Sequence, residues 1–317
     1  MLNIFKKTPK NTNNKKNVVV VGGAGFIGSH LSLGLIKDGF NVHVIDNLVS
    51  GKKENIPKEA IFHLCDIRHL KDLRKTFKKI GSVECVFHLA AIPEIELSKE
   101  NPFKTNETNV TGTEYVLGVS YEAKVKKVIF SSSCAVYGNQ GNLPIKETAP
   151  LMPMNPYAFH KQIGELYCIL YSQSCSLPTV SLRYFNVYGP NQPFKSAYSG
   201  AISIFLNQAK NKQPLTITGD GSQTRDFINV QDVVRANIAA MKSNLVGKGE
   251  VINIGSGKEY SINDIASIIG SEKKHVQERD EVKKSKADIT KAKELLKWEP
   301  TITINDGLTE LKKFNSL

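Results

Sequence analysis

The chain has 317 residues, 42 of them lysine or arginine and 30 aspartate or glutamate, so its formal net charge at pH 7 is +12. This length accommodates a large sheet domain together with a smaller one, and the positive charge favours an anionic ligand. Nucleic acid would also explain the charge, but the sequence contains no zinc-finger or other nucleic-acid-binding motif, so we expect no nucleic-acid partner.

The first 16 residues form a polar, lysine-rich segment without arginine. Their apolar stretch is too short for a secretory signal, so we expect a disordered basic tail. No apolar run elsewhere in the sequence is long enough to span a membrane, which predicts a cytoplasmic protein without membrane contact.

A continuous β-branched segment at residues 18–21 predicts a strand that is buried on both faces of a parallel sheet. It leads directly into Gly22, Gly25 and Gly28, which open an apolar helix that extends to about Lys37. Glycines at such a turn allow the backbone to approach a pyrophosphate closely, and the helix N-terminus attracts its negative charge. The G-x-x-G-x-x-G spacing departs from the G-x-G-x-x-G fingerprint, so a plain strand-to-helix turn is the alternative.

A second short apolar strand, residues 42–45, ends at Asp46. This is about the distance from the glycines at which a carboxylate accepts hydrogen bonds from an adenosine ribose. The Asp46 carboxylate would repel a 2′-phosphate, which favours NAD over NADP. Lys52 and Lys53 lie nearby and leave a phosphate-tolerant alternative open.

Strand-like and helical segments then alternate, with strands near residues 61–65, 83–89 and 127–131 and helices near residues 69–79 and 108–123. This alternation predicts an α/β fold with a doubly wound parallel sheet, as in the Rossmann fold. Two of the strands end in small or polar residues, at 88–91 and 131–133. Their loops should lie at the carboxyl edge of the sheet, beside the cofactor.

Tyr157 and Lys161 form the most informative pair in the chain. Asn155 can cap the helix and Pro156 suits its first turn, so residues 157 and 161 share one helix face. A cation at that position favours the phenolate, which would allow the tyrosine to act as a base near neutral pH. The alternative is an ordinary amphipathic helix that carries a tyrosine and a lysine.

The five cysteines are an odd number and include no C-x-x-C, and the seven histidines lack ligand spacing. We therefore expect reduced thiols, no disulfide framework and no metal site.

The glycine turn, the serine run and the Tyr-Lys pair, in that order, make the chain resemble the extended short-chain dehydrogenase/reductases, the family of nucleotide-sugar epimerases and dehydratases. The resemblance extends from about residue 17 to residue 311. Matching segments also occur at residues 88–91 (HLAA), 109–113 (NVTGT), 182–190 (LRYFNVYGP) and 225–230 (RDFINV).

The resemblance implies roles for individual residues. Tyr157 would be the base, Lys161 would hold the nicotinamide ribose and lower the tyrosine pKa, and Ser133 would hydrogen-bond the reacting sugar hydroxyl. Asn186 and Arg225 would contact the nucleotide diphosphate. Gly219 would lie at the place where the chain of relatives runs beside a bound uracil. The NAD site would be lined by Gly22, Gly25, Phe26, Ile27, Gly28, Asp46, Asn47, Asp66, Ile67, Leu89, Ala90, Ala91, Asn109, Tyr157, Lys161 and Tyr184.

Three departures from the family pattern bear on the reaction. Cys134 and Ala135 stand where dehydratases carry an Asp-Glu pair and where decarboxylating relatives keep the glutamate, which favours a 4-epimerase. Glu278 stands where relatives often carry a second diphosphate-binding arginine, although the adjacent Arg279 could serve after a one-residue shift. Ser285 is small, whereas a tyrosine at the matching position leaves little room for an N-acetyl group. The alternative is that Ser285 is a solvated residue of a lysine-rich segment.

The resemblance also implies two domains: residues 17–183 plus 226–255 would bind NAD, and residues 184–225 plus 256–317 would form a smaller, discontinuous α/β substrate domain. Residues 227–241 and 251–254 would return to the main sheet. We expect a 4-epimerase that interconverts UDP-glucose with UDP-galactose, and UDP-N-acetylglucosamine with UDP-N-acetylgalactosamine. The alternatives are a UDP-glucuronate 4-epimerase, or one that acts on another nucleotide sugar, and a non-catalytic dinucleotide-binding protein. By analogy with relatives, a homodimer would form through helices near residues 108–123 and 156–174.

Overall fold

The computed structural model describes residues 15–194, 200–278 and 281–317, so most of the predicted N-terminal tail lies outside the described residues. The strands are β1 Asn17–Val21, β2 Asn41–Asp46, β3 Ile61–Leu64, β4 Cys85–His88, β5 Val128–Ser133, β6 Thr179–Tyr184, β7 Asn186–Tyr188, β8 Leu215–Thr218, β9 Thr224–Arg225, β10 Phe227–Asn229, β11 Lys248–Ile254, β12 Tyr260–Ser261 and β13 Lys273–Val276. The α-helices are α1 Phe26–Lys37, α2 Leu70–Ile80, α3 Ile95–Glu100, α4 Pro102–Asn106, α5 Gly112–Glu122, α6 Pro156–Cys175, α7 Ala201–Lys210, α8 Val230–Lys242, α9 Ile262–Ile269, α10 Thr290–Leu296 and α11 Ile304–Phe314.

Seven parallel strands form the main sheet, in the order β3-β2-β1-β4-β5-β6-β11. Helices cover both faces. Val18 and Val20 pack in the apolar cluster that contains Leu31 of α1, whereas Val19 and Val21 pack in the cluster that contains Leu73 of α2. The four valines are fully buried because successive side chains of a strand point to opposite, equally covered faces. The predicted doubly wound α/β fold is confirmed.

The boundaries of the predicted elements agree with the structure to within a few residues. One prediction about topology is wrong in part. β11 pairs with β6 and extends the main sheet as expected, but β10, at the start of the segment 227–241, pairs in parallel with β7 in a separate two-stranded ladder. Helix α8, which follows β10, packs against α1 and contributes Val233 and Ala236 to the core beneath the sheet.

A third apolar cluster lies in the part of the chain that follows β6. It contains Tyr188, Phe205, Ile217, Ile265 and Leu308, among others, and is bordered by the short ladders β7–β10, β8–β13 and β9–β12. This core gives the residues predicted to bind the nucleotide sugar a packed support of their own.

Asp226 joins several of these segments. Its buried carboxylate accepts hydrogen bonds from the backbone N–H groups of Ser256 (2.6 Å), Gly257 (3.0 Å) and Ala287 (3.0 Å), and from the Ser256 hydroxyl (2.7 Å). Burial raises the pKa of Asp226, while these donors lower it. The carboxylate therefore fixes the segment around residue 287 beside β9 and β10.

Three further observations concern the described residues. None of their helices is both long and apolar enough to cross a membrane. Within the same residues, no three His, Cys, Asp or Glu side chains converge in a way that could hold a metal ion. The five cysteines are free thiols.

Candidate active site

The glycine turn lies between β1 and α1 and has no room for side chains at two of its three glycines. Gly22 has a φ of +84°, and a Cβ there would lie 2.6 Å from the backbone nitrogen of Ala90. A Cβ on Gly28 would lie 2.2 Å from the Gly22 carbonyl oxygen, so this glycine lets α1 pack against the turn. A Cβ on Gly25 would meet protein only at 3.3 Å, which leaves a backbone-lined cradle next to the helix N-terminus. Phe26 and Ile27 begin α1, and the cradle fits a dinucleotide pyrophosphate.

Asp46 is held at the end of β2 by the backbone around it. One carboxylate oxygen accepts from Ala24 N–H at 3.0 Å, and the other accepts from Leu48 N–H at 2.8 Å. Each carboxylate oxygen has two acceptor sites, so both can still accept a ribose hydroxyl. Asp46 thus orients the glycine turn and remains suited to the predicted ribose contact.

Asn47 and Asp66 meet at the ends of β2 and β3. The Asn47 amide donates to the Asp66 carboxylate at 3.0 Å, and the Arg68 guanidinium donates to the same carboxylate at 2.7 Å. These hydrogen bonds, the one from Arg68 foremost, hold the pKa of Asp66 well below its usual range. Ile67, which follows, is buried. An ionised, oriented carboxylate therefore lies beside the predicted adenosine site.

The loop after β4 is fastened by Asn109. Its amide oxygen accepts from Ile92 N–H at 2.7 Å, and its amide nitrogen donates to the Ile92 carbonyl at 3.0 Å. The Asn109 side chain is buried, and its two hydrogen bonds with Ile92 fix the loop that contains Leu89, Ala90 and Ala91. Tyr184 is also buried, and its hydroxyl donates to Asn237 of α8 at 2.9 Å.

Ser133, Tyr157 and Lys161 come together at the carboxyl edge of the sheet. Asn155 accepts from Ala158 N–H at 2.9 Å and caps α6, as predicted, with Pro156 in the first turn. The Lys161 ammonium donates to the Ser131 carbonyl at 2.6 Å and lies 5.8 Å from the centre of the Tyr157 ring. Ser133, the last residue of β5, lies near enough to Tyr157 to lower the pKa of its phenol.

The expected lowering of the tyrosine pKa is wrong for the protein by itself. Burial raises the pKa of Tyr157 to about 12, and the nearby Ser133 only partly opposes this shift. Burial also lowers the pKa of Lys161 to about 8, with the Glu165 carboxylate acting in the opposite direction. Desolvation disfavours the charged form of each group, so it outweighs the attraction that their spacing suggests.

The residues predicted to bind the nucleotide sugar converge around Asp226. The Asn186 amide donates to the Asp226 carbonyl at 3.0 Å. Thr224 N–H donates to the Lys283 carbonyl at 2.9 Å, so residues 283–287 run alongside residues 224–226. Ser285 lies in this stretch and is only 5% exposed, so the alternative that it is a solvated residue is wrong.

Arg225 forms an ion pair inside this region. One of its terminal nitrogens donates to the Glu281 carboxylate at 2.8 Å, and the other donates to the Thr224 carbonyl at 2.9 Å. The guanidinium is thereby oriented, with further N–H groups left for a diphosphate. Gly219 has a φ of +62° and is bound through its N–H to Val276. Arg279, the candidate for a second clamp, lies outside the described residues.

Three charged residues of the site region escaped prediction. Glu165 and Arg183 form a buried pair behind the Tyr-Lys helix, and Glu281 holds Arg225. Glu165 could have been noticed, because it is an acid four residues after Lys161 on a helix whose neighbouring positions are largely apolar. Glu281 gives no such indication, since it lies among several other charged residues.

Comparison with known proteins places these features in a family. The model of the "NAD dependent epimerase/dehydratase family" matches residues 18–255. A putative UDP-glucose 4-epimerase of Methanocaldococcus jannaschii is 40% identical over 299 residues, covering 92% of this chain and 95% of the relative. A UDP-N-acetyl-alpha-D-glucosaminuronate decarboxylase of Bacillus cytotoxicus is 36% identical, covering 93% of this chain and 96% of the relative.

A solved structure is equally similar. The UDP-N-acetylglucosamine 4-epimerase of Methanobrevibacter ruminantium M1, in complex with UDP-N-acetylmuramic acid, superposes with a TM-score of 0.87 at 35% identity, covering 95% of this chain and 99% of that chain. The family match spans the glycine turn and the Ser133, Tyr157 and Lys161 cluster. The chain therefore belongs to the NAD-dependent epimerase/dehydratase family and is an NAD-dependent epimerase.

Proposed function

We propose that the protein is a UDP-hexose 4-epimerase that retains NAD and acts on both plain and 2-acetamido hexoses. The observation that carries this proposal is the cluster of Ser133, Tyr157 and Lys161 at the same carboxyl edge of the sheet as the glycine turn, with no carboxyl group at positions 134 and 135. The cluster provides proton transfer, and the two small residues leave out the groups that elimination requires.

In this mechanism, Tyr157 takes the proton of the sugar 4-hydroxyl while Ser133 donates a hydrogen bond to the same oxygen. The glycine turn and Lys161 would hold NAD, which would supply a reversible hydride acceptor for the sugar C4. Lys161 binds the nicotinamide ribose and, as a cation, favours the Tyr157 phenolate. The net redox change is zero, so the cofactor need not leave between turnovers.

The sugar must turn over between the two hydride transfers, and the anchoring residues permit this. Asn186 and Arg225 would hold the diphosphate, and Arg225 is oriented for this by Glu281 and the Thr224 carbonyl. A site that binds the nucleotide firmly and the sugar loosely allows both faces to be presented, whereas a tightly complementary sugar pocket would trap one face.

Elimination and decarboxylation are disfavoured by Cys134 and Ala135. Burial raises the pKa of the Cys134 thiol to about 12, so the thiol is neutral and a poor proton acceptor near pH 7. Alanine has no ionisable group. Relatives that decarboxylate or dehydrate share the fold. In this chain, however, the residues at positions 134 and 135 support epimerisation.

Substrate breadth is assigned to Ser285. A small residue beside the sugar 2-substituent leaves space for an N-acetyl group, and an enlarged pocket weakens binding of a smaller ligand by only about 1–3 kcal/mol. Both hexose pairs should therefore be substrates.

The test is a panel of UDP-sugars, including UDP-glucuronate, incubated with the protein while the C4 epimers are followed by NMR. Ser285→Tyr should depress turnover of the acetylated pair and largely spare the plain hexoses. Ser267→Tyr, at an exposed serine of α9, is the matched control and should change neither. Wild-type protein that is inactive on acetylated sugars would reject the assigned breadth, and preferential turnover of UDP-glucuronate would reject the neutral substrate class.

This proposal includes the two predicted domains, which are residues 17–183 plus 226–255 and residues 184–225 plus 256–317. The separate apolar core around Phe205 and Ile265 supports the division. The homodimer and the cytoplasmic location are likewise proposed.

A further inference from the structure

Helix α6 is hydrogen-bonded to two of the three consecutive serines at the end of β5. The Lys161 ammonium donates to the Ser131 carbonyl at 2.6 Å, and the Ser132 hydroxyl donates to the Glu165 carboxylate at 2.5 Å. Residues 157, 161 and 165 are spaced by four and share one helix face, and Ser133 lies near enough to Tyr157 to lower its pKa. Helix α6 is therefore fastened to the end of β5 at two successive turns, directly behind the proposed base.

Glu165 is held in place by Arg183 of β6. The guanidinium donates to both carboxylate oxygens, at 2.8 and 2.7 Å, and also donates to the Tyr137 hydroxyl at 2.8 Å. The Arg183 and Glu165 side chains are only 4% and 3% exposed. Charge-assisted, bidentate pairs of this kind have a fixed geometry, so Glu165 has little freedom to leave Ser132 or the neighbourhood of Lys161.

Glu165 is the negatively charged side chain that stabilises the Lys161 ammonium, because the other titratable neighbours of Lys161 are neutral. On α6 these neighbours include His160 and Cys168, and on β4 they include His88. Burial lowers the pKa of His88 to about 3 and raises that of Cys168 to about 12, so both are neutral near pH 7, as is Tyr157. The pKa of His160 is also lowered by burial. Arg183 adds a positive charge beyond the carboxylate.

We propose that Glu165 is a positioning residue for catalysis, which fixes Ser132 and thereby the neighbouring Ser133, and which keeps Lys161 charged. This inference rests on the proposed roles of Ser133, Tyr157 and Lys161. Arg183 acts through Glu165 by keeping its carboxylate ionised and oriented.

Two conservative variants separate the hydrogen bond from the charge. Ser132→Ala removes the hydroxyl and keeps the carboxylate, so it should lower kcat roughly tenfold with KM little changed, because the Ser133 hydroxyl loses its alignment. Ser120→Ala, at an equally buried, hydrogen-bonded serine of α5, is the control and should leave kcat unchanged. Wild-type kcat in Ser132→Ala, or an equal loss in the control, would overturn the positioning role.

Glu165→Gln keeps an acceptor for Ser132 and removes the charge. The ammonium form of Lys161 then loses its stabilising anion, its pKa falls, and the alkaline limb of the kcat profile moves to lower pH. NAD affinity should weaken with rising pH over the same lower range, because neutral Lys161 is a poorer donor to the ribose. An unmoved alkaline limb in folded Glu165→Gln would overturn the electrostatic part of the proposal.

Removing one partner of a buried ion pair can prevent folding, so a double variant completes the test. Glu165→Met with Arg183→Met removes both charges and should fold. It should still show low kcat and an acid-shifted alkaline limb, whereas wild-type values would mean that the pair is only structural. If the wild-type protein epimerises none of the UDP-sugars, the proposed substrate is rejected, and the pH dependence of NAD affinity in these variants still decides the role of Glu165.

Discussion

Tyr157 is protonated near neutral pH even with Lys161 beside it, because burial raises its pKa to about 12. Lys161 can favour the phenolate only while it is itself protonated, and burial lowers its pKa to about 8. The nearby Ser133 hydroxyl also favours the phenolate. The base therefore depends on neighbours from β5 and α6 together, and substitution of the phenol isolates its contribution.

Tyr157→Phe should keep the fold and bound NAD but lower kcat at least about 100-fold, since the proton acceptor is gone. The measurement compares kcat for UDP-glucose with the amount of NAD(H) released on denaturation. Tyr115→Phe, at a partly buried tyrosine of α5, serves as the control and should retain full activity. Near-normal kcat in folded Tyr157→Phe would remove Tyr157 from the role of base.

At the level of single residues, the sequence predicted positions better than energies. The Asn155 cap and the shared face of Tyr157 and Lys161 follow from local spacing, and the structure confirms both. The pKa of Tyr157 depends on desolvation by residues far away in the chain, and such contacts leave no trace in a five-residue pattern. Glu165 could have been noticed on α6, but its partner Arg183 lies far away in the chain on β6, so the pair itself could not be predicted.

At the level of elements, strands buried on both faces were the easiest to predict. The four valines of β1 require cover on each side, which in an α/β protein means a parallel sheet. β10 was assigned to the wrong sheet because a strand of three residues, Phe227–Asn229, does not specify a partner strand. Its pairing with β7 depends on the way the chain leaves the main sheet after Tyr184. The strands of the ladders β8–β13 and β9–β12 are also short or irregular in sequence, so their pairing could not be predicted either.

The edge of the sheet contains a pH-sensitive contact between β2 and β3. His43 and His63 share a hydrogen bond between Nδ1 and Nε2 at 3.0 Å, and the Asn41 amide lies 3.2 Å from Nε2 of His43. Burial lowers the pKa of His43 to about 4, from an ordinary value of 6.5. Between these two pH values the unfolded chain binds a proton that the folded protein does not, so stability falls as the pH falls through this range.

His43→Gln should therefore reduce the loss of thermal stability on acidification from about pH 7 to about pH 5. The comparison is the difference between the two unfolding midpoints in the variant and in the wild type. His69→Gln, at an exposed histidine that precedes α2, is the control and should lose as much stability as the wild type. Some acid sensitivity should remain, because burial lowers the pKa of His88 to about 3. An undiminished loss in His43→Gln would contradict this account.

The whole molecule exposes an apolar stripe on α6, the helix that carries Tyr157 and Lys161. Phe159, Leu166 and Leu170 are 53%, 57% and 51% exposed. Spacings of seven and four residues place them on one side of the helix. Tyr121 of the adjacent α5 is also half exposed. Contiguous apolar surface of this kind marks an interface, and a two-fold dimer would place α5 and α6 of two copies against each other.

Leu166→Glu with Leu170→Glu should convert the proposed dimer into a monomer, because both copies would bury the new carboxylates in the interface without a partner. Light scattering coupled to size-exclusion chromatography measures the mass directly, and Leu245→Glu, at an exposed leucine between α8 and β11, is the control that should remain dimeric. The stripe lies on the helix that holds the proposed base, so the monomer should also lose thermal stability and turnover together. The stripe would not be the dimer interface if the wild-type protein had the mass of a single chain or if the double variant still dimerised. It would then bind another partner.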